Sequence, residues 1–200
     1  MPANPTSRRA FLVSAAAIAA GGGLLLNRLA RAEGLTIEGI PGKVMIEKFD
    51  DAGKSLGKAT VPKVVKSEAE WKAQLANAPG TNPPGSHTAF TVARQEDTEY
   101  PGTGPNAENF APGVYRCICC DNALYTNETK FDSGTGWPSF WKPIAEENVV
   151  QNIPQQGGFK VSCALCDAHL GHVFDDGPKP TGLRYCMDGV ALRFIPHPAA

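Results

Sequence analysis

Cys117-Ile118-Cys119-Cys120 and Cys163-Ala164-Leu165-Cys166 are two Cys-x-x-Cys pairs with 42 residues between them. Four thiolates on two such turns make a tetrahedral sulfur set, which suits zinc best. Two local disulfides, a redox pair and an iron centre are the alternatives, and a thioredoxin-like redox pair would need a βαβ context that this chain lacks. We predict a structural zinc ion that joins two distant loops and leaves no position for substrate, with the ligands Cys117, Cys120, Cys163 and Cys166.

Short runs of β-forming residues follow Gly113 and are divided by glycine, asparagine, aspartate and proline. Several strands at this spacing are typical of a mainly antiparallel sandwich or barrel. We therefore predict a mainly β fold. Strands are expected at residues 114–116, 123–125, 159–161, 172–174 and 190–194.

Residues 33–66 come before this region and contain no recognisable chemistry. A β-rich run at 43–49 is followed by the turn residues Asp50-Asp51-Ala52-Gly53. A return strand can follow, with Pro62 limiting it to an edge or a break. We expect a small hairpin laid against the main domain.

Ser67 and Glu70 form a capping box, in which each side chain can satisfy the other residue's backbone N–H. This pattern predicts a short helix that runs through Trp71 to about Ala76. A second short helix is expected near residues 92–96. We accordingly divide the chain into an export signal (1–32), a short β extension (33–66) and a main domain (67–200).

Ser7-Arg8-Arg9-Ala10-Phe11-Leu12 opens a mildly apolar run, and Ala30-Arg31-Ala32 follows that run. Adjacent arginines before an apolar run, with a small-x-small site after it, are typical of a twin-arginine export signal. A membrane anchor is the alternative, which the glycine and alanine content of the run disfavours. We predict export to the periplasm by the twin-arginine translocase, with cleavage after Ala32. That route carries folded proteins, so zinc can bind before the thiols reach an oxidising compartment.

The charge balance argues against nucleic-acid binding. The whole chain has 19 basic and 20 acidic residues, and residues 1–32 contain four arginines and no acids. The remaining part therefore has 15 basic and 20 acidic residues, a net charge of −5. An acidic exported domain without a basic patch is a poor nucleic-acid binder.

Gly182-Leu183-Arg184-Tyr185-Cys186-Met187-Asp188 contains the one cysteine outside the two clusters. In an extended segment Arg184, Cys186 and Asp188 point to the same face, because strand side chains alternate with a period of two. A cation beside a thiol favours the reactive thiolate. A buried structural cysteine is the alternative, since free cysteine packs as a small hydrophobe.

Three motifs in this order together resemble the methionine-R-sulfoxide reductase (MsrB) family. They are Phe131-Asp132-Ser133-Gly134-Thr135-Gly136-Trp137-Pro138-Ser139-Phe140, Cys166-Asp167-Ala168-His169-Leu170-Gly171-His172-Val173-Phe174 and Gly182-Leu183-Arg184-Tyr185-Cys186. The resemblance implies two antiparallel sheets forming a sandwich or barrel-like core, with a structural zinc and a few short helices. It also implies repair of methionine sulfoxide.

The resemblance implies a role for several residues. Cys186 resembles the nucleophile that attacks the sulfoxide sulfur and becomes a sulfenic acid, and Arg184 would help to hold its thiolate. Trp137 resembles the wall of the methyl pocket. His169 and His172 resemble the pair that protonates the sulfoxide oxygen, a task for which histidine is easily tuned near neutral pH. The alternatives are a core tryptophan and two histidines that bind metal or simply lie in a loop.

Two positions depart from the family pattern. Many members have a resolving cysteine where this chain has Thr135, so another thiol must reduce the sulfenic acid. Cys119 is one candidate; we favour an external thioredoxin-like reductant, because family architecture places the zinc site away from the active site. Asp188 stands where members often have asparagine. An ionised Asp188 would raise the pKa of Cys186, whereas a protonated or histidine-paired one would not, and the sequence leaves this open.

We therefore expect a monomeric, zinc-stabilised enzyme that reduces methionine-R-sulfoxide in oxidised proteins. Nothing in the sequence indicates a nucleotide, flavin or haem. A binding domain that has lost catalysis and a thiol redox sensor are the alternatives. Retention of Cys186, Trp137, His169 and His172 together argues against both, since neither function needs this pocket.

Overall fold

The computed structural model describes residues 42–80, 87–155 and 158–197, so the export signal predicted at 1–32 lies outside the described residues. These ranges contain two α-helices, α1 (Glu68–Leu75) and α2 (Ala89–Gln95), and no described helix is long and apolar enough to cross a membrane. The strands are β1 (Lys43–Phe49), β2 (Ser55–Pro62), β3 (Gly113–Cys117), β4 (Ala123–Thr126), β5 (Lys130–Phe131), β6 (Ser139–Phe140), β7 (Val149–Gln155), β8 (Gly158–Cys163), β9 (His169–Phe174), β10 (Arg184–Met187) and β11 (Leu192–Pro196).

The strands form two main antiparallel sheets and a hairpin. The larger sheet has the order β5-β6-β10-β9-β8-β7, and the smaller has the order β11-β3-β4. The hairpin β1–β2 stands apart as a two-stranded sheet. The predicted fold class, mainly β with two antiparallel sheets and a few short helices, is confirmed.

The two main sheets meet through aromatic side chains that are fully buried. Tyr125 on β4 stacks on Phe140 of β6 with ring centroids 4.4 Å apart, and Tyr115 on β3 meets the same ring edge-on at 5.0 Å. The Tyr125 hydroxyl donates to the Met187 sulfur on β10 at 3.1 Å, so its polar end is also satisfied. This contact between the sheets fixes the position of β10, the strand that carries Cys186, relative to the smaller sheet.

Both helices begin at capping boxes. The Ser67–Glu70 box caps α1 and is confirmed, with Trp71 and Leu75 on the buried face. α2 begins at Ala89, three residues before the predicted start, because Thr88 and Thr91 cap each other as a second box.

The hairpin β1–β2 is held to the main domain by a buried amide. Asn148 is fully buried; its Oδ1 accepts from the Glu47 N–H at 2.9 Å, and its Nδ2 donates to the Glu47 carbonyl at 2.8 Å. The side chain therefore pairs with Glu47 as a neighbouring strand would. The predicted hairpin is present, and β2 ends at Pro62, where the sequence predicts an edge or a break.

One strand boundary is wrong in the sequence prediction. Residues 190–194 were expected to be extended, but Gly189–Ala191 forms a 3-10 turn and β11 begins only at Leu192. The turn forms because a buried carboxylate, that of Glu99, accepts from the backbone N–H groups of Gly189 and Val190. No sequence pattern near Gly189 predicts the contact with Glu99.

Candidate active site

β10 brings Cys186 to the middle of the larger sheet, between β9 and β6. In the strand ladders Cys186 lies opposite His172 on one side and Ser139 on the other. β9 can approach this closely because Gly171 has a φ of 139°, and a Cβ atom there would lie 2.2 Å from the Cys186 carbonyl oxygen. The sheet therefore fixes the backbone of Cys186 on both sides.

Cys186 opens into a cavity of about 190 Å³. Four of the residues singled out from the sequence line it, together with three that were not. The lining residues are Cys186, Trp137, His172, Asp188, Thr98, Gly171 and Phe174. His169 and Arg184 are not among the lining residues: Arg184 interacts directly with the Cys186 sulfur, and His169 faces Asp188.

Burial is the strongest influence on the Cys186 thiol and raises its pKa. Hydrogen bonding to Thr135, the charge of Arg184 and hydrogen bonding to Ser139 act in the opposite direction, and Asp188 adds to the rise. Arg184 therefore acts on the pKa in the direction expected from the sequence, yet burial outweighs it. Burial therefore favours the neutral thiol over the thiolate.

Arg184 is fixed in place by a bidentate ion pair. Its Nε and Nη2 donate to the two carboxylate oxygens of Asp176 at 2.8 and 2.7 Å, and its guanidinium lies 4.5 Å from the centre of the Phe174 ring. Phe174 also lines the cavity. Arg184 therefore packs against one wall of the cavity, and its positive charge acts to lower the pKa of Cys186.

His169 and Asp188 face each other, both 3% exposed, and both are neutral near pH 7. Burial raises the pKa of Asp188 to about 8, and the nearby Glu99 carboxylate adds to the rise. Burial likewise lowers the pKa of His169 to about 4, helped by His172. The 3.6 Å between His169 Nε2 and Asp188 Oδ2 is too long for a hydrogen bond and does not offset the desolvation of two charges. The proton therefore stays on Asp188.

His172 is half-buried and lies on the cavity wall. Burial lowers its pKa, Lys160 lowers it further and Glu96 opposes them. Its ring centre is 5.3 Å from that of His169. At neutral pH the cavity is thus lined by a neutral imidazole, a thiol and a protonated carboxylic acid.

Glu99, which was not predicted from the sequence, holds Asp188 and Trp137 in place through hydrogen bonds. It is 2% exposed; its carboxylate accepts from Gly189 and Val190 at 2.6 and 3.0 Å, and its backbone N–H donates to Asp188 Oδ1 at 3.2 Å. Its carbonyl accepts from the Trp137 indole N–H at 3.2 Å. One residue therefore fixes the aromatic wall and the acid together.

Two glycines are the sequence signal that could have pointed to Glu99. A Cβ atom on Gly104 would lie 2.0 Å from Glu99 Oε1, and one on Gly189 would lie 1.9 Å from the Pro105 carbonyl oxygen. Both positions need a residue without a side chain because the backbone closes tightly over the carboxylate. The two glycines lie 85 positions apart, so their shared cause appears only in the fold.

The four knuckle cysteines converge as predicted. Their sulfur atoms all lie within 4.8 Å of one another, with Cys117 to Cys166 at 3.7 Å and Cys120 to Cys163 at 3.5 Å. Tetrahedral zinc with Zn–S bonds of about 2.3 Å separates its sulfurs by about 3.8 Å, so this set fits the ion. Contacts with Cys119 and the other sulfurs, with burial, raise the pKa of Cys117 well above its usual value, and a cation would reverse that cost.

Both knuckles have the same backbone shape. An aspartate follows each second cysteine in the left-handed region, Asp121 at φ 65° and Asp167 at φ 59°. Each aspartate N–H donates to the carbonyl of the first cysteine, at 2.9 Å in both turns. The knuckles close the β3–β4 and β8–β9 connections, so the metal site joins the smaller sheet to the larger one.

Cys119 lies among the four knuckle cysteines. It is buried, it interacts with Cys117 and Cys166, and its carbonyl accepts from Gln74 Nε2 at 2.7 Å. The groups that contact the Cys186 sulfur are Thr135, Ser139 and Arg184, and none of them belongs to the knuckle that contains Cys119. The two cysteines therefore sit in separate environments.

An antiparallel β-fold with four cysteines placed to bind a metal ion, and with one thiol facing an aromatic wall and a proton donor, defines a class: enzymes that use a cysteine for redox chemistry. Comparison with known proteins identifies the family. Residues 86–196 match the SelR domain. A peptide methionine sulfoxide reductase MsrB from Hahella chejuensis is 44% identical over 135 residues, covering 66% of this chain and 90% of that protein.

Other relatives give the same result. MsrB from Pseudomonas putida is 44% identical over 141 residues, covering 69% of this chain and 98% of that protein. Peptide methionine sulfoxide reductase B1 from Arabidopsis thaliana, a chloroplastic protein, is 46% identical over 134 residues, or 64% of this chain and 59% of its own length. The chain belongs to the SelR-domain family of MsrB-type methionine sulfoxide reductases.

Proposed function

We propose that this protein reduces methionine-R-sulfoxide in oxidised proteins to methionine, with Cys186 as the nucleophile. The observation that carries the proposal is the cavity in which the Cys186 thiol faces Trp137 and has a protonated carboxylic acid beside it. An apolar wall selects a methyl group by shape and excludes water. The names of the relatives support the same reaction.

The chemistry requires a proton at the sulfoxide oxygen. A sulfoxide is a poor electrophile until that oxygen is protonated, so an acid must lie opposite the thiolate. Attack by the Cys186 thiolate transfers the oxygen and, with one proton, gives methionine and a cysteine sulfenic acid. Asp188 is the group on the cavity wall that holds a proton at neutral pH, and His172 lies beside it to bind the oxygen. His169 lies behind Asp188, with its Nε2 3.6 Å from Asp188 Oδ2.

An external thiol completes the cycle. Thr135 stands against Cys186, and its hydroxyl cannot form a disulfide. Cys119 is buried among the zinc cysteines, so it would have to leave that site to reach the sulfenic acid. We propose a thioredoxin-like dithiol reductant that acts directly on Cys186, because thiol exchange requires access to the sulfur.

The zinc ion has a structural role in this proposal. Cys117, Cys120, Cys163 and Cys166 would hold it and complete its coordination, so it would supply a cross-link between the sheets. The reacting groups all lie on the cavity around β10. We further propose that the protein acts as a monomer.

Turnover of a peptide that carries the pure R or the pure S sulfoxide tests the reductase. With zinc-loaded protein and dithiothreitol, we expect turnover of the R peptide, none of the S peptide, and none with Cys186→Ser. Cys119→Ser is the matched control and should keep full turnover if the reductant acts on Cys186. Absence of R-peptide turnover in the wild type would refute the proposed reaction.

We also propose export to the periplasm by the twin-arginine route, on the strength of the paired arginines Arg8-Arg9 and the small-x-small site at Ala30-Arg31-Ala32. Cell fractionation tests it, with Arg8→Lys and Arg9→Lys combined as the variant. We expect periplasmic protein that begins at Glu33 for the wild type and cytoplasmic retention for the variant. Equal export of both would exclude the twin-arginine translocase.

A further inference from the structure

Three hydroxyl groups form a connected chain that ends at the Cys186 sulfur. Ser133 Oγ lies 2.8 Å from Thr135 Oγ1 and 2.8 Å from Ser139 Oγ. Thr135 Oγ1 lies 3.9 Å from Cys186 Sγ, and Ser139 is fully buried opposite Cys186 in the β6–β10 ladder. Ser139 Oγ also donates to the Trp137 carbonyl at 3.3 Å.

We propose that the hydroxyls of Ser139, Ser133 and Thr135 are positioning groups that stabilise the Cys186 thiolate and then the sulfenic acid. The residue at position 135 thereby serves the nucleophile as a hydrogen-bond donor. The inference rests on the proposed function in one respect, because the sulfenic acid forms only if Cys186 reacts with a sulfoxide.

The chain of hydroxyls can run in either direction, which suits a sulfur that changes its protonation state. With a neutral thiol, the S–H donates to Thr135, Thr135 to Ser133, Ser133 to Ser139, and Ser139 to the Trp137 carbonyl. With a thiolate, the order reverses, so that Ser139 donates to Ser133, Ser133 to Thr135, and Thr135 to the sulfur. Each bond polarises the next, so an anion at the end of the chain strengthens all of them.

The same groups can serve the oxidised sulfur. The thiolate gains the sulfoxide oxygen and one proton, so that the substrate sulfur is reduced by two electrons and the cysteine sulfur is oxidised by two. The new S–O–H needs hydrogen-bond partners in a buried place, and Thr135 and Ser139 offer both a donor and an acceptor. One external thiol then displaces water to give a mixed disulfide, and a second releases Cys186 as a thiol.

Charged and titratable groups also face the sulfur and must be kept constant in any test. Arg184 on β10 is held by Asp176, Asp188 follows the same strand, and His172 faces Cys186 from β9. Among the described residues, none of these charged or titratable side chains is hydrogen-bonded to Ser133 or Thr135. Substitution at Thr135 therefore isolates the hydroxyl contribution.

The rate of Cys186 alkylation by iodoacetamide as a function of pH tests the proposal, with the modified peptide identified by mass spectrometry in zinc-loaded protein. Thr135→Val keeps the shape and removes the hydroxyl, whereas Thr135→Ser keeps it. We expect the midpoint of the Val variant to lie about one pKa unit higher, with about tenfold slower alkylation near pH 7. The Ser variant should follow the wild type.

Ser133→Ala should raise the midpoint by a smaller amount, because Thr135 keeps its hydroxyl but loses its donor. Thr60→Val, an exposed substitution on β2, is the matched control and should leave the profile unchanged. Coincident profiles for Thr135→Val and the wild type would overturn the proposal. Alkylation needs no sulfoxide, so this result stays readable even if the wild type fails to reduce the peptide and the proposed function falls.

Discussion

Asp188 carries an acidic proton into a cavity where an asparagine could offer only an amide. Its carboxyl is 3% exposed, its pKa is raised to about 8 mainly by burial, and its Oδ1 accepts from the Glu99 N–H. At neutral pH the group can therefore donate a hydrogen bond, as an amide does, and can also give up its proton. Among the alternatives that the sequence leaves open, burial therefore favours a protonated Asp188.

Asp188→Asn tests the acid through the pH profile of turnover. We expect the wild-type rate to fall at alkaline pH, once Asp188 and Cys186 have both lost their protons and no acid remains. Because the two groups interact, the apparent pKa values in this profile describe the pair. The variant should keep rising to a plateau as the thiolate forms, at a rate about tenfold or more below the wild type, within the usual range for loss of an acid catalyst. An alkaline fall that persists in the variant would exclude Asp188 as its source.

The same substitution should stabilise the protein as pH rises. An unfolded aspartate loses its proton near pH 3.8, whereas folded Asp188 keeps it to about 8, so between these values the folded state binds more protons and the free energy of unfolding falls with pH. An amide at this position does not titrate and carries no such cost. We expect Asp188→Asn to gain on the order of 4 kcal/mol at pH 8 over pH 4, relative to the wild type, at about 1.4 kcal/mol per pKa unit.

Urea unfolding at several pH values measures this difference. Asp175→Asn, at an exposed position, is the matched control and should show no pH-dependent gain. A constant difference between the Asp188 variant and the wild type across the range would mean that Asp188 ionises normally in the folded protein.

Single residues were predictable where their chemistry is visible in a motif. Cys186, Trp137, His172 and Asp188 were all singled out and all line one cavity. Glu99 was not, because its importance comes from burial beneath a turn 90 positions away along the chain. A lone acid in a polar loop carries no periodicity, and only the tertiary contact distinguishes it from a solvated one.

At the scale of elements, the local rules worked where the cause was local. The Ser67–Glu70 box predicted α1 because both partners lie within one turn. The 3-10 turn at Gly189–Ala191 was misread as strand, since its partner is the distant Glu99. The β1–β2 hairpin was expected to lie against the main domain, but the contact that holds it could not be predicted, because it depends on the side chain of Asn148.

Asn148→Ala should loosen the hairpin. The amide makes three hydrogen bonds, two to Glu47 and one from Nδ2 to the Ala123 carbonyl at 2.8 Å, and its loss leaves buried backbone groups without partners. We expect a loss of about 3 kcal/mol in the free energy of unfolding, since an unsatisfied buried group costs about 1–3 kcal/mol. Thermal or urea unfolding measures it, and limited proteolysis should show faster cleavage within residues 43–62.

Asn152→Ala is the matched control, because within the described part of the chain the Asn152 side chain donates one long hydrogen bond, to Ser162 Oγ at 3.3 Å. We expect a loss of under about 1 kcal/mol there. If the two variants lose equal stability, the amide of Asn148 is not what holds the hairpin.

For the molecule as a whole, the metal site stands at the junction of the two sheets. Cys117 ends β3 in the smaller sheet and Cys163 ends β8 in the larger one, and each knuckle continues into the next strand of its own sheet. The spacing of the cysteines predicted this clip because ligand chemistry constrains four residues at once. It could not predict which strands lie beside β10, because that order is set by side-chain packing across the core.

Removing the metal should therefore weaken the whole fold, including an active site that contains none of the ligands. Cys120→Ser removes one thiolate, and we expect zinc content to fall from about one per chain toward zero and the melting temperature to fall by roughly 10–20 °C, taking several kcal/mol of lost binding at about 2–4 °C per kcal/mol. Cys119→Ser, one position away and outside the four-sulfur set, should keep both the zinc and the melting temperature.

Metal analysis and thermal unfolding of both variants decide the matter. Below its lowered melting temperature the Cys120 variant should still alkylate at Cys186 with the wild-type pH profile, because Ser139 and Arg184 lie on strands of the larger sheet. Equal zinc loss in the Cys119 variant would instead contradict the assignment of the four ligands. In that case Cys119 would be one of the zinc ligands, and the spacing of the two Cys-x-x-Cys pairs would not identify the ligand set correctly.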